Sequence, residues 1–287
     1  MSDNGTVSSN GFGRRILEWY RTHGRHDLPW RKSRNPYNIL VSEVMLQQTQ
    51  ISRVIEKYRE FLLAFPSVRA LARANARDVL VVWQGLGYNR RALYLQRAAY
   101  QIVKEHNGRF PRHVEKLEAL PGIGPYTARA VAVFAWNAPE ILLETNIRRV
   151  MLHFFFRDQD RVSDSQIEPL LQRMLHHKDP RIWYWALMDY GAGPLKKISN
   201  PNRRSKHYIK QTRFEGSRRY VRSKALSFLL GCDSGKSEEH IECELLKDTH
   251  CASYLSEYDI SPILEALVNE GMICRKRRLY AVARRPY

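Results

Sequence analysis

The stretch Leu120 to Ala130, LPGIGPYTARA, constrains this chain more than any other. It reads as a short helix, a tight turn and a second helix. Gly122 and Gly124 flank one apolar residue, so the backbone can turn sharply and lie close to a ligand. Pro125 stands at a helix start, where its missing N–H costs little. From Tyr126 to Trp136 the sequence continues as a helix rich in Ala and Val. Such a turn aims unpaired backbone N–H groups at an anion, and a nucleic-acid phosphate is the obvious one. An ordinary helix–turn–helix packing corner reads the same way over eleven residues.

Charge favours the nucleic-acid reading. The 287 residues carry a formal net charge of +18, with a pI near 9.9. Nucleic acid stands ahead of an anionic membrane as the partner of so basic a chain. The N-terminal residues MSDNGTVSSNG are polar and unlike a signal peptide. No apolar run approaches the roughly 18 residues of a membrane helix. The expectation is a soluble, cytoplasmic protein (nucleoid-associated if bacterial), monomeric and without a membrane partner. Cys232, Cys243, Cys251 and Cys274 contain no C-x-x-C pair, so a zinc or iron–sulfur site is poorly supported and free thiols fit better.

Along the chain, residues 1–11 read as disordered. An amphipathic helix begins near Ile16. Asn38 is expected to cap a helix that runs to Gln48. Helices follow over Ile51 to Phe65, Asp78 to Trp83 and Arg90 to Glu105, with a turn at Gly85-Leu86-Gly87-Tyr88. After the hairpin, Thr145 or Asn146 starts a helix through Phe156, and two more run over about 164–176 and 181–191. Residues up to about 195 are thus mainly α, with short connections. Residues 196–224, KKISNPNRRSKHYIKQTRFEGSRRYVRSK, are dense in Lys and Arg. They read either as a solvated linker or as a phosphate-gripping strap aided by Tyr208, Phe214 and Tyr220. From residue 217, three helices and a basic hairpin (Met272 to Cys274, then Leu279 to Val282) suggest a winged helix. Such a unit can read DNA or serve as a packing or protein-binding module.

Two carboxylates are candidates for chemistry. Glu43 interrupts an apolar helix face in Val41-Ser42-Glu43-Val44-Met45, where burial raises a carboxyl pKa and makes a general acid. Glu144 stands just ahead of a helix start, where the N-terminus favours the ionised form. Each also has a plainer reading, Glu43 as a half-exposed or ion-paired acid and Glu144 as a helix-start acid. Two carboxylates in contrasting surroundings suit cleavage of a glycosidic bond. One protonates the leaving group and the other stays charged beside an oxocarbenium-like sugar.

Leu28-Pro29-Trp30, Pro36-Tyr37, the run Ser42-Glu43-Val44-Met45-Leu46-Gln47-Gln48-Thr49-Gln50, Gly85 to Tyr88 and Leu120 to Ala130 together closely resemble the adenine-DNA glycosylase (MutY-like) family. That family belongs to the helix-hairpin-helix base-excision superfamily, with endonuclease III as a relative. The resemblance covers roughly residues 12–195. It implies a mainly α, two-lobed helix-hairpin-helix core (12–195), followed here by a basic linker or strap (196–216) and a winged-helix-like domain (217–287).

The resemblance also implies roles. Double-stranded DNA bearing a mismatch or an oxidised base would be the partner, with the target base flipped into a pocket. Glu43 would protonate adenine. Gln48 and Tyr88 match residues that wedge into the stack and fill the gap. Gly122 and Gly124 match the phosphate-binding turn, which in relatives also holds a monovalent cation through backbone carbonyls. Tyr126 stands where bifunctional relatives carry a lysine, so no Schiff base and no strand nicking are expected. Asn146 matches a residue that supports the catalytic carboxylate. Arg203, Arg204 and Lys206 of the strap are added as DNA contacts on their charge.

Three features depart from the family. Glu144 occupies the position of its catalytic Asp. Its four-cysteine iron–sulfur loop is missing, so no cluster is expected, and the C-terminal domain that senses 8-oxoguanine is replaced. The expected function is removal of adenine mispaired with 8-oxoguanine or guanine. The alternatives are a glycosylase for another base, such as T or U opposite G, and a catalytically weak DNA-binding protein.

Overall fold

The structure is a computed structural model that describes residues 9–198, 200–209 and 213–283. In chain order its first helices are α1 (Ser9–His23), α2 (Pro36–Leu46), α3 (Ile51–Ala64), α4 (Val68–Arg73), α5 (Ala76–Trp83) and α6 (Arg90–His106). Then come α7 (Val114–Glu118), α8 (Pro125–Trp136), α9 (Thr145–Phe155), α10 (Asp164–Met174) and α11 (Pro180–Ala192). The C-terminal part holds α12 (Arg218–Leu230), β1 (Lys236–Ser237), α13 (Glu238–Leu245), α14 (Thr249–Leu255), α15 (Ser261–Asn269), β2 (Ile273–Lys276) and β3 (Leu279–Val282). Among the described residues no helix is long and apolar enough to cross a membrane.

The chain divides into two compact units that interleave in sequence. The first gathers Met1–Glu43, Arg112–Glu118 and Gly124–Lys210, and the second Val44–Pro111, Ala119–Ile123 and Gln211–Tyr287.

In the first unit the aromatic ring of Phe12 is fully buried and meets Phe154, Phe155 and Trp183 edge-on. That contact accounts for α1 starting at Ser9, inside the stretch 1–11 expected to be disordered. Residues 1–8 lie outside the described residues. The turn Pro29–Lys32 is fixed by a buried ion cluster. Asp189 on α11 is 2% exposed. It accepts from Arg31 Nη1 and Nη2 at 2.7 and 2.8 Å and from Arg25 Nε at 2.7 Å. Burial alone would raise the Asp189 pKa, but the guanidinium groups outweigh it and hold the carboxyl below its usual range.

Asn38 does not cap α2. Asn35 Oδ1 accepts from Tyr37 N at 2.9 Å, and Pro36 takes the first helical position, so the helix starts three residues earlier and ends at Leu46.

The basic segment after α11 does not behave as a linker through residue 206. Pro201–Arg204 form a 3-10 turn, Ser205 bridges Val162, and Asn202 Nδ2 donates to Thr145 O at 3.1 Å. Arg204 donates to Leu152 O at 3.0 Å, to Phe156 O at 2.7 Å and to Arg157 O. These carbonyls at the end of α9 have no partner within the helix. Arg204 therefore serves the fold of α9 rather than a phosphate, which corrects the expectation from charge. Arg203 and Lys206 remain exposed. Ser199, Lys210, Gln211 and Thr212 lie outside the described residues.

In the second unit, the C-terminal part has the expected helices and hairpin, together with α14 and the two-residue strand β1. The sheet order is β1-β3-β2, all antiparallel, with Lys236 opposite Tyr280 and Ile273 opposite Val282. A strand of two residues leaves no period for a sequence to display.

Candidate active site

The four side chains that the sequence singles out for chemistry, Glu43, Tyr126, Glu144 and Asn146, meet in the first unit. Glu43 sits one turn before the end of α2, in a stretch where Ile39 to Met45 are all buried, and is itself 7% exposed. This disposes of the half-exposed reading. Burial is the largest influence and pushes its pKa from 4.5 to about 7. The charge of Glu144 adds to the rise, while a hydrogen bond with Tyr126 and the Arg31 charge oppose it. Tyr126, in the first turn of α8, has its phenol pKa raised well above 10 by burial, then by the charges of Glu43 and Glu144. It stays a neutral hydroxyl.

Glu144 is the N-cap of α9. Its Oε1 accepts from Asn146 N at 2.8 Å and Ile147 N at 2.9 Å, and its Oε2 accepts from Asn146 Nδ2 at 3.1 Å. The helix start was expected to favour the ionised carboxylate. The donors do pull that way, but burial is larger and the net shift is upward. The two acids still differ in kind. Glu43 lies among apolar side chains with a phenol as hydrogen-bond partner, while Glu144 is ringed by N–H donors.

Asn146 is held from behind. Arg149 Nη1 reaches Asn146 Oδ1 at 3.4 Å and donates to Gly191 O at 2.8 Å. A Cβ on Gly191 would lie 2.3 Å from Asn146 O, so this glycine is what lets α11 approach the first turn of α9. The sequence reading did not single out Gly191 or Arg149, because neither belongs to a local motif.

Gln48 and Tyr88 belong to the second unit and are not part of this cluster. Both are non-glycine residues in the left-handed region, at φ 54° and 48°, and both are exposed. Strained turns of this sort persist only where neighbours over-determine them. The neighbour here is Arg91, which the sequence reading missed. Its Nη1 donates to the carbonyls of Val44, Met45 and Gln47 at 2.7, 3.1 and 2.6 Å. Its Nη2 reaches Thr49 Oγ1, Leu86 O and Gly87 O at 3.2, 3.2 and 3.1 Å. One guanidinium thus ties the turn after α2 to the Gly85–Tyr88 turn. The available signal was an arginine at the start of α6, three residues after Tyr88.

The two hairpin glycines prove unequal. Gly122 has φ 73°, and a Cβ there would stand 2.5 Å from Tyr94 Cβ. Gly124, the residue before α8, has an ordinary φ of −89° and open space where a Cβ would point. Only Gly122 is demanded by the fold. Gly122→Ala should cost about 1–3 kcal/mol of stability through backbone strain. Gly124→Ala should leave stability within about 0.5 kcal/mol yet weaken duplex binding, if a phosphate approaches that backbone. Thermal unfolding and duplex titration of both variants check this, and undiminished DNA binding by Gly124→Ala would take Gly124 out of the interface.

The cysteines are free, with Cys243 exposed and Cys251 buried, and all lie in the C-terminal part of the second unit. Among the described residues no three His, Cys, Asp or Glu side chains gather as metal ligands.

Comparison with known proteins gives a consistent result. A profile described as "HhH-GPD superfamily base excision DNA repair protein" matches residues 41–176. The adenine DNA glycosylase of Mycobacterium tuberculosis is 45% identical over 181 residues, 62% of this chain and 59% of that protein. The adenine DNA glycosylase of Buchnera aphidicola subsp. Baizongia pistaciae is 36% identical over 194 residues, 66% of this chain and 54% of that protein. The chain therefore spans about half the length of the curated adenine DNA glycosylases it matches. The thymine/uracil-DNA glycosylase of Pyrobaculum aerophilum is 38% identical over 172 residues, 60% of this chain and 70% of that protein. Among solved structures, a thermostable thymine-DNA glycosylase superposes with a TM-score of 0.59 at 25% identity, covering 64% of this chain and 86% of that one. An endonuclease III–DNA covalent intermediate gives 0.54 at 20% identity, covering 64% and 86%, and shows likeness of fold.

Proposed function

We propose, from the premise that the chain belongs to the HhH-GPD superfamily of base excision DNA repair proteins, that it is a monofunctional DNA glycosylase acting as a monomer on adenine mispaired with 8-oxoguanine or guanine. One observation carries the choice of base. Glu43 is buried beside Tyr126 and Glu144 with its pKa raised to about 7, so near neutrality it holds a proton that it can give away. Adenine is a poor leaving group until a ring nitrogen is protonated. Thymine and uracil instead depart as N1 anions and have less need of an acid.

The reaction follows from those roles. Duplex DNA is opened and adenine is extruded, with Gln48 and Tyr88 taking up the vacated stack. Glu43 protonates a ring nitrogen. The C1′–N9 bond breaks, and its electron pair leaves with the base. The sugar becomes an oxocarbenium-like cation, stabilised by the Glu144 carboxylate and the Tyr126 hydroxyl, with Asn146 fixing Glu144. Water then adds to C1′ and passes its proton to a carboxylate. Tyr126 has no amine, so the sugar is not captured as a Schiff base and the strand is not nicked. The backbone at Gly122 and Gly124 would meet phosphates, main-chain carbonyls of the hairpin would hold a monovalent cation that adds positive charge toward them, and Arg203 and Lys206 would add phosphate contacts.

A second reading, excision of T or U opposite G, is favoured by the thymine and thymine/uracil relatives, 70–73% of whose length is matched. A base-release assay on duplexes with A opposite 8-oxoguanine, G and C, and with T or U opposite G, decides between them. Release from the T or U duplexes alone would overturn the adenine reading. The proposal includes no iron–sulfur cluster. The purified protein should be colourless, and stoichiometric iron with acid-labile sulfide would refute that part.

A further inference from the structure

We infer that the first turn of α12 is a DNA-contacting edge, which grips backbone phosphates beside the Tyr88 turn as one surface with it. The inference rests on the duplex-DNA reading above. Arg218 and Arg219 open α12 with no acidic residue in that turn. A helix N-terminus carries partial positive charge and disfavours cations, so local helix energetics do not explain the pair. A phosphate binding there would relieve that repulsion.

The position of α12 is fixed, and it is fixed onto residues read as DNA-contacting. At its C-terminal end Arg77 donates to Leu230 O at 2.7 Å and Cys232 O at 3.0 Å. At its N-terminal end Arg219 Nη1 reaches Tyr88 Oη at 3.4 Å. Next to that contact, Glu270 is shared by Arg222, at 2.5 and 3.0 Å, and by Arg90, at 3.5 Å. Arg90 in turn donates to Tyr94 Oη at 2.9 Å, and Tyr94 is the side chain that Gly122 packs against. A continuous run of contacts within the second unit therefore joins the hairpin turn, the Tyr88 turn and the start of α12. Arginines outnumber acids along it, since Glu270 alone faces Arg90 and Arg222. Arg218 is exposed at the rim, where its Nη2 donates to Pro262 O at 3.1 Å, and a phosphate can reach the rest of the exposed fork. The phosphodiester backbone is the ligand this surface fits, because planar guanidinium groups pair with phosphate oxygens. On this assignment the C-terminal unit touches DNA through α12, not through the basic turn between β2 and β3.

The test uses the full chain and a labelled, undamaged duplex, with binding followed from about 50 to 200 mM salt. R218Q/R219Q keeps hydrogen-bond donors and loses charge. It should lower the slope of log K against log salt by about 2, since each phosphate contact contributes about 0.9. R218K/R219K should restore the slope, which separates charge from fold. K276Q/R278Q, on the hairpin turn, should leave it unchanged. A wild-type slope for R218Q/R219Q overturns the inference, as does a loss of slope in K276Q/R278Q alone, which would move the contact to the hairpin. Failure of the wild-type protein to bind any duplex would instead count against the proposed function.

Discussion

Glu43→Gln should bind a duplex with A opposite 8-oxoguanine as wild type does and release adenine about 10²–10⁴-fold more slowly in a single turnover, the usual worth of general acid catalysis. Glutamine has nearly the same shape and can still take the Tyr126 hydrogen bond, so the pocket should persist. It has no proton to give to an adenine ring nitrogen. The pH dependence carries the same signature. With the Glu43 pKa pushed to about 7, the acid is protonated below that pH, so the rate should fall about tenfold per pH unit above it. The variant's residual rate should lack this inflection. Stability follows by linkage. The folded-state pKa is raised above 4.5, so the contribution of Glu43 is fully present below about 4.5 and is lost as pH rises through about 7. Glu43→Gln should flatten that part of the stability curve. Near-wild-type turnover in the variant would remove Glu43 from the mechanism.

Glu144→Gln should lower single-turnover adenine release by at least about 10²-fold, and Glu144→Asp by less. Both oxygens of Glu144 are engaged by the α9 amides and Asn146 Nδ2. The longer side chain thus curls back onto its own helix, in a fixed place beside Tyr126 and Glu43. A glutamine there can keep Oε1 on the two amides but sets its NH2 against the Asn146 NH2. It also removes the charge that would face the sugar cation. Aspartate keeps the charge on a shorter arm, and a displacement of about 1 Å can cost up to 10²-fold. The capping role predicts a separate effect, a loss of about 0.5–2 kcal/mol in thermal stability for Glu144→Ala. Rates for the Asp and Gln variants, set against their unfolding temperatures, separate the two roles. A Gln variant as fast as wild type would leave Glu144 as a helix cap only. An Asp variant faster than wild type would show that the pocket has not adjusted to the longer acid.

The split between what was legible in the sequence and what was not follows the range of the forces involved. Near-neighbour rules account for the longer helices, though not for the short α4, α7 and α14, and for the Gly122 turn, where a left-handed φ of 73° suits glycine. They account also for Pro125 at a helix start and for Glu43 as an acid among apolar neighbours. Local chemistry misled at Arg204, whose charge suggested phosphate while its guanidinium closes the end of α9, some fifty residues back in the chain. It was silent at Arg91 and Gly191, which act on backbone atoms that only the fold brings near.

By itself the sequence determined a mainly helical chain, a hairpin of glycines before a helix, a basic surface and two acids fit for glycosidic chemistry. Each of these rests on contacts between residues a few positions apart. Tertiary structure decided which way the pKa of each acid moves, because burial and the approach of Tyr126 and Asn146 set the local polarity around Glu43 and Glu144. It also decided the use of each cation, by placing Arg204 and Arg91 against several carbonyls each while the exposed Arg218 meets Pro262 O. A guanidinium that meets unpaired backbone oxygens is consumed there, and only packing brings such oxygens within its reach.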